Sequence, residues 1–209
     1  MDPIRVAVIE DEIMVARMLE AWIGNHHQFK LVASAHDGTE GLALCLKTKP
    51  DVALIDIMMP GMNGITLAEH LLSKLPTLKI IILSARLDPY CIHRIHDLKI
   101  PGYVDKSCSP EIVTEAILAV ARGETFHTPN YTERMLLLLK DPNAFFKILS
   151  KREIDIMRHL TANKRIEDIA TAMDITRNTV QTHQRNIRKK LNAHNTQDLL
   201  SHARKHGLF

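Results

Sequence analysis

The sequence has few cysteines and no long apolar run. Its three cysteines, Cys45, Cys91 and Cys108, are odd in number and lack a CxxC spacing, which predicts free thiols in a reducing cytoplasm. No apolar stretch approaches the ~18 residues that a membrane-spanning helix needs, and the longest candidate, Met135–Leu139, is flanked by basic residues. Acids within the first dozen residues argue against a secretion signal. We therefore expect a cytoplasmic protein that does not associate with a membrane.

The net charge of +3 is distributed unevenly along the chain. Residues 1–149 contain 15 Lys and Arg against 18 Asp and Glu, a net charge of −3, whereas residues 150–209 contain 12 against 6, a net charge of +6. A basic C-terminal segment on a mildly acidic body favours nucleic acid as a partner of that segment. A solvated basic surface would give the same balance, so charge alone does not decide between the two.

The first ~120 residues alternate between short apolar runs and amphipathic stretches with helical periodicity. The predicted strands are Ile4–Ile9, Phe29–Ala33, Val52–Ile55, Lys79–Leu83 and Ile100–Val104. The predicted helices cover residues 12–24, 38–48, 64–74, 89–98 and 109–122. Such an alternation implies right-handed crossovers and a parallel sheet with helices on both faces. Residues 1–123 are therefore predicted to form an α/β domain, a flavodoxin-like (βα)5 doubly wound fold.

The remainder of the chain is predicted to be helical. Residues 124–148 are interpreted as an interdomain linker with one short helix, because Pro and Asn punctuate the segment twice. From residue 149 onward, Ser150 and Glu153 form a capping-box pattern, and the last helix is expected to end at Gly207. Residues 149–209 are thus predicted to form an all-α domain of four helices, of which two, joined by a tight turn, make a helix-turn-helix.

Chemistry-bearing side chains follow four of the five predicted strands. Glu10 and Asp11 follow the first strand, Asp56 the third, Ser84 the fourth and Lys106 the fifth. Because the carboxyl ends of parallel strands meet at one edge of a doubly wound sheet, these side chains should converge there. Each of them alone is more often a loop, capping or solvated residue, but their joint placement predicts a functional site.

The composition of this predicted site indicates phosphoryl chemistry assisted by a metal ion. Carboxylates held close together repel one another, and a hard cation such as Mg²⁺ relieves that repulsion while leaving positions open for phosphate oxygens. Asp56 could then attack a phosphoryl group as a nucleophile. Lys106 would supply positive charge and Ser84 a hydrogen-bond donor. The backbone carbonyl of Met58 is a further expected ligand of Mg²⁺, and the turn at Pro60-Gly61 keeps the following loop short.

Several of these residues form a family pattern. The segments Glu10-Asp11, Asp56 with Pro60-Gly61 after it, Ser84-Ala85 and Gly102-Tyr103-Val104-Asp105-Lys106 together resemble the receiver domain of two-component response regulators. The resemblance implies that Asp56 is the phosphoacceptor of a histidine kinase and that Asp11 ligates Mg²⁺ with help from Glu10. It also implies that Ser84 and Tyr103 are a switch pair, in which the hydroxyl turns to the phosphate and the ring moves inward. Ser107 departs from the pattern, because proline usually follows the lysine.

The C-terminal helices carry a second pattern. The segments Leu149–Glu153, Ile166–Ala170 and Thr179–Leu191 resemble the DNA-binding domain of the LuxR/FixJ/NarL class. With Val180 and Ile187 directed inward, three polar residues share the outward face near the front of the third helix. These residues are Gln181, Thr182 and Arg185. Since Gln can pair with adenine and Arg with guanine in the major groove, we expect this face to read base edges.

Other residues of the same helix are better placed for the phosphate backbone, which positions a protein on DNA without specifying sequence. They are Arg177, Thr179, Arg188 and Lys189. Each basic residue could instead be an exposed, solubilising charge, and for Lys190 that interpretation is preferred. The expected partner of this face is double-stranded DNA.

Together, these features predict a response regulator in which phosphorylation of Asp56 switches sequence-specific DNA binding and transcription, with a homodimer forming on phosphorylation or on DNA. The alternative is a phosphorylation-independent DNA-binding regulator with a vestigial receiver. A turnover phosphatase or phosphotransferase is disfavoured because Met58, and no second acid, stands two residues after Asp56, so the protein is not expected to be an enzyme. A protein-interaction module without DNA binding would show no salt-dependent affinity for duplex.

Overall fold

The computed structural model describes residues 2–85, 87–142 and 144–205, so Gly207, the expected end of the last helix, lies outside the described residues. The chain divides into two compact units. The first comprises Met1–Leu87 and Arg94–Glu133, and the second comprises Asp88–His93 and Arg134–Phe209. Within the described ranges, none of the helices has both the length and the apolar character that crossing a membrane requires.

The first unit is built on a parallel β-sheet. Its strands are β1 Ile4–Ile9, β2 Phe29–Ala35, β3 Val52–Asp56, β4 Lys79–Ser84, β5 Gly102–Asp105 and β6 Phe126–His127. The helices that connect or follow them are α1 Ile13–Asn25, α2 Gly38–Thr48, α3 Gly64–Lys74, α4 Pro89–Asp97, α5 Pro110–Ala121 and α6 Pro129–Lys140. The strand order is β2-β1-β3-β4-β5-β6, and every neighbouring pair is parallel. This is the doubly wound α/β fold that the sequence predicts, and its strand order reverses between β1 and β3.

The sixth strand, β6, is not predicted from the sequence. It pairs with β5, so that Phe126 lies opposite Gly102 and His127 opposite Tyr103. A strand of two residues is too short to produce a periodic pattern, and its existence depends on the edge that β5 offers. Its consequence is that the chain, after leaving α5, returns to the sheet beside Tyr103.

The strands hold the site because they are buried on both faces. All five residues of β3 are buried, as expected for a parallel strand covered by helices. On one face of the sheet, Val8, Leu54 and Leu83 belong to a single apolar core, to which α1 and α5 contribute Leu19 and Ile117. Close packing of this kind leaves the carboxyl ends of the strands little freedom to move.

Helix α5 begins and ends at the predicted signals. Ser109 occupies the N-cap position and Pro110 the first helical position, although the Ser109 side chain accepts no capping hydrogen bond. At the other end, Gly123 has φ of +85°, in the left-handed region that favours glycine, and the amide of Glu124 donates to the carbonyl of Ala119 at 3.0 Å. The chain therefore turns sharply after α5, which directs it toward β6.

The second unit is helical. After α6 it contains α7 Phe145–Ile148, α8 Lys151–Thr161, α9 Ile166–Ala172, α10 Arg177–Lys190 and α11 Thr196–Lys205. The predicted capping box is present at the start of α8, where Ser150 and Glu153 bond reciprocally. Thr176 caps α10 by accepting from the amide of Thr179. The four helices α8–α11 match the predicted all-α domain, whereas the short α7 was not predicted.

The cysteines agree with the expectation of free thiols. Cys45, Cys91 and Cys108 are unpaired, and the first two are buried. Burial raises the pKa of the Cys45 thiol to about 11, and burial, with the charge of Asp88, raises the pKa of Cys91. Because the thiolate is the reactive form, these two thiols are unreactive at neutral pH.

Candidate functional site

Three carboxylates meet at the carboxyl ends of β1 and β3. Glu10 follows β1 and is wholly buried, Asp56 ends β3 and is also buried, and Asp11 is half-buried. One carboxylate oxygen from each of the three lies within 4.8 Å of those from the other two. The structure thus brings together the acids that the sequence predicts to converge. They lie where the strand order reverses, between β1 and β3.

Lys106 lies among these carboxylates. Its Nζ is 2.8 Å from Oε1 of Glu10 and 3.1 Å from Oδ1 of Asp56. The lysine side chain is only 12% exposed, so these ion pairs are poorly screened by solvent. One ammonium group therefore contacts two of the three clustered carboxylates directly, and their combined negative charge exceeds its positive charge.

The ionisation of the site reflects burial and this excess of negative charge. Burial raises the pKa of Glu10, the hydrogen bond from Lys106 opposes the rise, and the charge of Asp56 adds to it. Burial likewise raises the pKa of Asp56. The charge and hydrogen bond of Lys106 oppose that rise, and the charge of Asp11 adds to it. Burial alone would lower the pKa of Lys106, but its hydrogen bond to Glu10 and the charges of Asp56 and Glu10 raise it. Both carboxyls are thus less easily ionised than exposed ones.

One oxygen of the cluster points to a bound cation. Oε2 of Glu10 is buried and has no hydrogen-bond partner among the described residues. A buried polar atom left unsatisfied costs about 1–3 kcal/mol, and here the atom belongs to a carboxylate that lies beside Asp11 and Asp56. Donors that are all oxygen atoms suit Mg²⁺ rather than a softer metal. The residues present therefore fit the predicted Mg²⁺.

The loop after Asp56 is shaped by glycine. Gly61 has φ of +71°, which L side chains rarely adopt, and a Cβ added at Gly64 would lie 2.0 Å from the carbonyl oxygen of Asp56. The amide of Met58 donates to Oδ2 of Asp56 at 3.2 Å, and the Asn63 side chain caps α3. The two glycines thus let α3 start directly against the end of β3, and the Met58 amide fixes the rotation of the Asp56 carboxylate.

The expected switch pair, Ser84 and Tyr103, lies beside this cluster. Both residues are wholly buried, and the Tyr103 hydroxyl donates to the Ser84 carbonyl oxygen at 3.4 Å. The same carbonyl accepts from the amide of Lys106 at 3.2 Å. The peptide bond from Lys106 to Ser107 is trans, since the described chain contains no cis bonds. The ends of β4 and β5 are therefore linked through one carbonyl group.

Two contacts near Lys106 were not predicted. Oε1 of Glu12 lies 3.3 Å from Lys106 Nζ, although the Glu12 side chain is largely exposed. Nδ2 of Asn130 donates to Oδ2 of Asp105 at 2.6 Å, across a sequence separation of 25 residues. The acidic run at residues 10–12 signals that Glu12 is near the site, but nothing in the sequence signals Asn130, because its position depends on β6.

The second unit presents α10 as the candidate nucleic-acid interface. Val180 and Ile187 are buried, which fixes the inward face of the helix. The three residues predicted to read bases, Gln181, Thr182 and Arg185, are exposed. The Thr182 hydroxyl donates to the carbonyl of Asn178 at 2.9 Å, which orients its side chain along the helix. The predicted reading face is thus open to a ligand.

The residues predicted to contact phosphates differ in their surroundings. Arg177 is exposed and pairs with Glu167 of α9, Nη2 to Oε1 at 2.8 Å, which offsets part of its charge. Lys189 is exposed and Arg188 half-buried. Thr179 is half-buried and shares a hydrogen bond of 2.8 Å with the Thr176 hydroxyl. The exposed charges of this group are therefore those of Arg177 and Lys189, and Arg177 shares its charge with Glu167.

Lys190, interpreted from the sequence as an exposed, solubilising charge, is exposed but also forms an ion pair. Its Nζ lies 2.7 Å from Oε2 of Glu153, whose side chain is only 5% exposed. The same carboxylate oxygen accepts from the Ser150 amide at 2.8 Å and from the Ser150 hydroxyl at 2.9 Å. Burial alone would raise the pKa of Glu153, but the hydrogen bonds from Lys190 and Ser150 outweigh it and lower the pKa. Lys190 thus joins the end of α10 to the start of α8.

Two protein-family models match the chain. The model described as response regulator receiver domain matches residues 6–118, which is more than half of the chain. The model described as bacterial regulatory proteins, luxR family, matches residues 147–203. The two matches fall on the segments that carry the acidic cluster and α10, and they agree with the two resemblances found in the sequence.

Individual proteins resemble the chain over nearly its whole length. The response regulator protein VraR of Staphylococcus aureus is 26% identical over 206 residues, 99% of each chain. A solved structure of the RcsB response regulator of Salmonella typhimurium superposes with a TM-score of 0.73 at 23% identity, covering 99% of this chain and all of the other. The response regulator ChrA, from a heme-sensing two-component system, gives a TM-score of 0.56 at 26% identity with full coverage of both chains. The similarity thus extends over both of the segments that the family models match.

Proposed function

The chain belongs to the two-component response regulators and carries a LuxR-type DNA-binding domain, and we propose that phosphorylation of Asp56 by a histidine kinase switches its binding to DNA. The observation that carries the proposal is the cluster of Glu10, Asp11, Asp56 and Lys106 at the end of the sheet, in a chain that also presents an open basic helix. The expected setting is the cytoplasm, and the output is regulation of transcription.

Asp56 is the proposed phosphoacceptor. Its Oδ atom attacks the phosphorus of a phosphohistidine on the kinase, so a P–O bond forms as the P–N bond breaks, and the imidazole leaves with the bonding electron pair and takes up a proton. Lys106, 3.1 Å from Asp56, is positioned to stabilise the negative charge of the transferring group. The hydroxyl of Ser84 is the proposed donor to a phosphoryl oxygen.

Mg²⁺ is the proposed cofactor of this reaction. Glu10, Asp11 and Asp56 would hold it, with the backbone carbonyl of Met58 as a further ligand. When bound, the ion supplies positive charge that offsets the charge of the phosphoryl oxygens. The buried Oε2 atom of Glu10, which has no hydrogen-bond partner among the described residues, supports this assignment, because a bound cation would satisfy that oxygen.

DNA is the proposed ligand of α10. We assign base contacts to Gln181, Thr182 and Arg185, and phosphate contacts to Arg177, Thr179, Arg188 and Lys189. One of the solved structures similar to this chain is described as an RcsB–DNA complex, with a TM-score of 0.63 at 24% identity, and another as two RcsB dimers bound to two parallel DNAs. By analogy, we propose that this chain acts as a homodimer on a two-fold operator.

A phosphorylation-independent regulator with a vestigial receiver is the alternative. It would have no need of a buried lysine paired to two buried carboxylates, an arrangement that is costly to maintain without a function. The protein is not proposed to be a turnover enzyme, since its reaction with phosphate ends on its own Asp56.

The proposal is tested by intact mass. Wild-type protein and the Asp56→Asn variant are treated with acetyl phosphate, with and without Mg²⁺, and weighed by mass spectrometry. We expect one phosphoryl adduct on the wild type with Mg²⁺, and none on the variant or after chelation. An unmodified wild-type protein, also after incubation with phosphorylated kinases, would favour the vestigial receiver.

A further inference from the structure

The segment after α5 packs against the switch residues of β5. The amide of Phe126 donates to the carbonyl of Pro101 at 2.9 Å, and the amide of Thr128 donates to the carbonyl of Tyr103 at 3.0 Å. These bonds make β6 a neighbour of the strand that carries Tyr103 and leads to Lys106. Helix α6 starts two residues after β6, so its first turn is fixed at the same edge.

Tyr131, in the first turn of α6, stacks on Tyr103. The ring centroids are 5.0 Å apart, the planes are inclined by 24°, and both residues are wholly buried. The ring of His127 packs on Tyr131 from β6 at 4.5 Å. The Tyr131 hydroxyl has no hydrogen-bond partner among the described residues, so its side chain contacts this core through the ring.

A second contact joins the same turn to the lysine loop. Nδ2 of Asn130 donates to Asp105 Oδ2 at 2.6 Å, and Oδ1 of Asn130 accepts from the Thr128 hydroxyl and from the Tyr131 amide, both at 2.8 Å. Asp105 directly precedes Lys106, whose ammonium contacts Asp56. Two neighbouring residues of α6 thus contact β5: Tyr131 contacts Tyr103 of the expected switch pair, and Asn130 contacts Asp105, the residue before Lys106.

Because closely packed side chains leave no room for one ring to move alone, a displacement of Tyr103 must displace Tyr131 or open a void between them. We propose that Tyr131 and Asn130 form the coupling element of the regulator: they transmit the change at Asp56 to α6, the helix by which the chain continues into the second unit. This inference rests on the proposed function, and it assigns a regulatory role to residues outside the receiver pattern.

Three substitutions test the contacts of Tyr131 with Tyr103 and of Asn130 with Asp105 one at a time. Tyr131→Leu removes the stacked ring, Tyr131→Phe keeps the ring and removes only the unpartnered hydroxyl, and Asn130→Asp places a carboxylate against Asp105 with little change of shape. Each variant is first checked for folding by circular dichroism and thermal unfolding, and for the phosphoryl adduct at Asp56 by intact mass. Lys106, Ser84 and Asp56 stay unchanged, so the phosphorylation chemistry is retained.

The readout is the ratio of operator dissociation constants before and after phosphorylation, measured on the full chain with a duplex selected from random sequences. Coupling between two sites typically changes affinity roughly 5- to 150-fold, and we expect a ratio in that range for wild type and Tyr131→Phe. For Tyr131→Leu and Asn130→Asp we expect full phosphorylation with a ratio near one. Linkage requires the converse as well, so operator DNA should tighten binding of beryllofluoride, a noncovalent phosphoryl analogue, to wild type but not to these two variants.

The outcomes distinguish the inference from the function on which it rests. If the wild type is phosphorylated but its ratio is one, the proposed function fails. If the wild-type ratio is large and a folded Tyr131→Leu or Asn130→Asp protein keeps it, the coupling element is refuted while the proposed function stands. Should Tyr131→Leu not fold, Asn130→Asp decides the question, because Asn130 is half-buried and its replacement leaves the aromatic core intact.

Discussion

At the scale of single residues, Asp56 and Glu10 are held where their negative charge is costly. Both are buried, they lie close to Asp11, and they share one ammonium group, that of Lys106. Mutual repulsion and burial destabilise the folded state when no cation is bound. The carboxylate cluster is therefore held in place by the strands beneath it, at a cost in local stability.

This cost predicts that neutralising Asp56 stabilises the protein without metal. In chelator at pH 7, Asp56→Asn should raise the free energy of unfolding of the first unit by about 1 kcal/mol, measured by calorimetry. Saturating Mg²⁺ should reverse the order, because the proposed metal site of the folded wild type would bind the cation more tightly than that of the variant. Glu12→Gln is the matched control, since its exposed carboxylate also contacts Lys106 and should have little effect. A lower stability of Asp56→Asn in chelator would mean that Lys106 already compensates the cluster.

The same residues predict how stability depends on pH. Burial raises the folded-state pKa of Glu10 and Asp56 above their ordinary values of 4.5 and 3.8, so the folded protein binds protons more readily than the unfolded chain. Their contribution to stability is therefore largest below those values and is lost as the pH rises through the raised pKa. Metal-free wild type should gain stability from these groups on mild acidification, and Asp56→Asn should gain less. Urea titrations at a series of pH values between 4 and 7, roughly the interval in which such groups titrate, measure the difference.

At the scale of secondary-structure elements, most of the fold follows from the sequence, because the β-sheet repeats one local pattern. Strands β1 to β5 and the helices between them come from alternation of short apolar runs with amphipathic stretches, and their positions fix Glu10, Asp56 and Ser84 at the ends of strands. Strand β6 could not be predicted, since its two residues form a strand only because β5 leaves an open edge. Contacts that depend on β6, such as that of Asn130 with Asp105, could therefore not be predicted either.

The pairing of Lys190 was missed for a related reason. Helical periodicity places Lys190 on the outward side of α10, but it does not reveal that the start of α8 lies within reach of its ammonium group. The capping box was predicted correctly from local sequence. That the buried Glu153 needs a further partner is a property of the packed helices, and sequence spacing carries no information about it.

The ion pair between Lys190 and Glu153 is predicted to stabilise the helical unit. Lys190→Gln should lower the free energy of unfolding around α8 and α10 by about 1 kcal/mol at pH 7, because the lysine is partly exposed and only Ser150 then satisfies Glu153. The pKa of Glu153 is lowered in the folded state, so the contribution is present above its ordinary value of 4.5 and is lost as the pH falls through the lowered pKa. The difference between wild type and variant should vanish in acid. Amide hydrogen exchange in α8 and α10 measures it.

Lys189→Gln is the control for that prediction. The neighbouring residue is also a lysine at the end of α10, it is exposed, and its replacement removes the same charge without touching Glu153. Equal destabilisation by the two substitutions would show that a general charge effect at the helix end, rather than the contact with Glu153, is responsible.

At the scale of the whole molecule, the positive charge of the chain is concentrated in the segment that holds helices α8 to α11. The segment from residue 150 onward carries a net charge of +6, and the rest carries −3. A positive segment attracts DNA through counterion release, whatever the sequence of the DNA. In the proposed assignment, discrimination between operators comes from a few side chains on α10, so affinity and specificity should respond differently to substitution.

This separation predicts that substitutions on α10 have two different effects on DNA binding. Arg185→Ala removes an exposed side chain of the proposed reading face, so it should cost about 1–3 kcal/mol on the selected operator and should relax the preference at the base that Arg185 contacts. Lys189→Ala should weaken binding to all duplexes alike and reduce the slope of log affinity against log salt by about 0.9. Titrations of the phosphorylated full chain with operator and mutated duplexes at several salt concentrations measure both effects.

Arg165→Ala is the matched control, because this arginine is exposed in the same unit but precedes α9 instead of lying on α10, and it pairs only loosely with Asp168 at 3.4 Å. Its loss should leave both the base preference and the salt slope close to those of the wild type. If Arg185→Ala instead lowered every affinity equally and left the base preference unchanged, Arg185 would be a phosphate contact. The reading face would then have to be reassigned to Gln181 and Thr182, which are also exposed on α10.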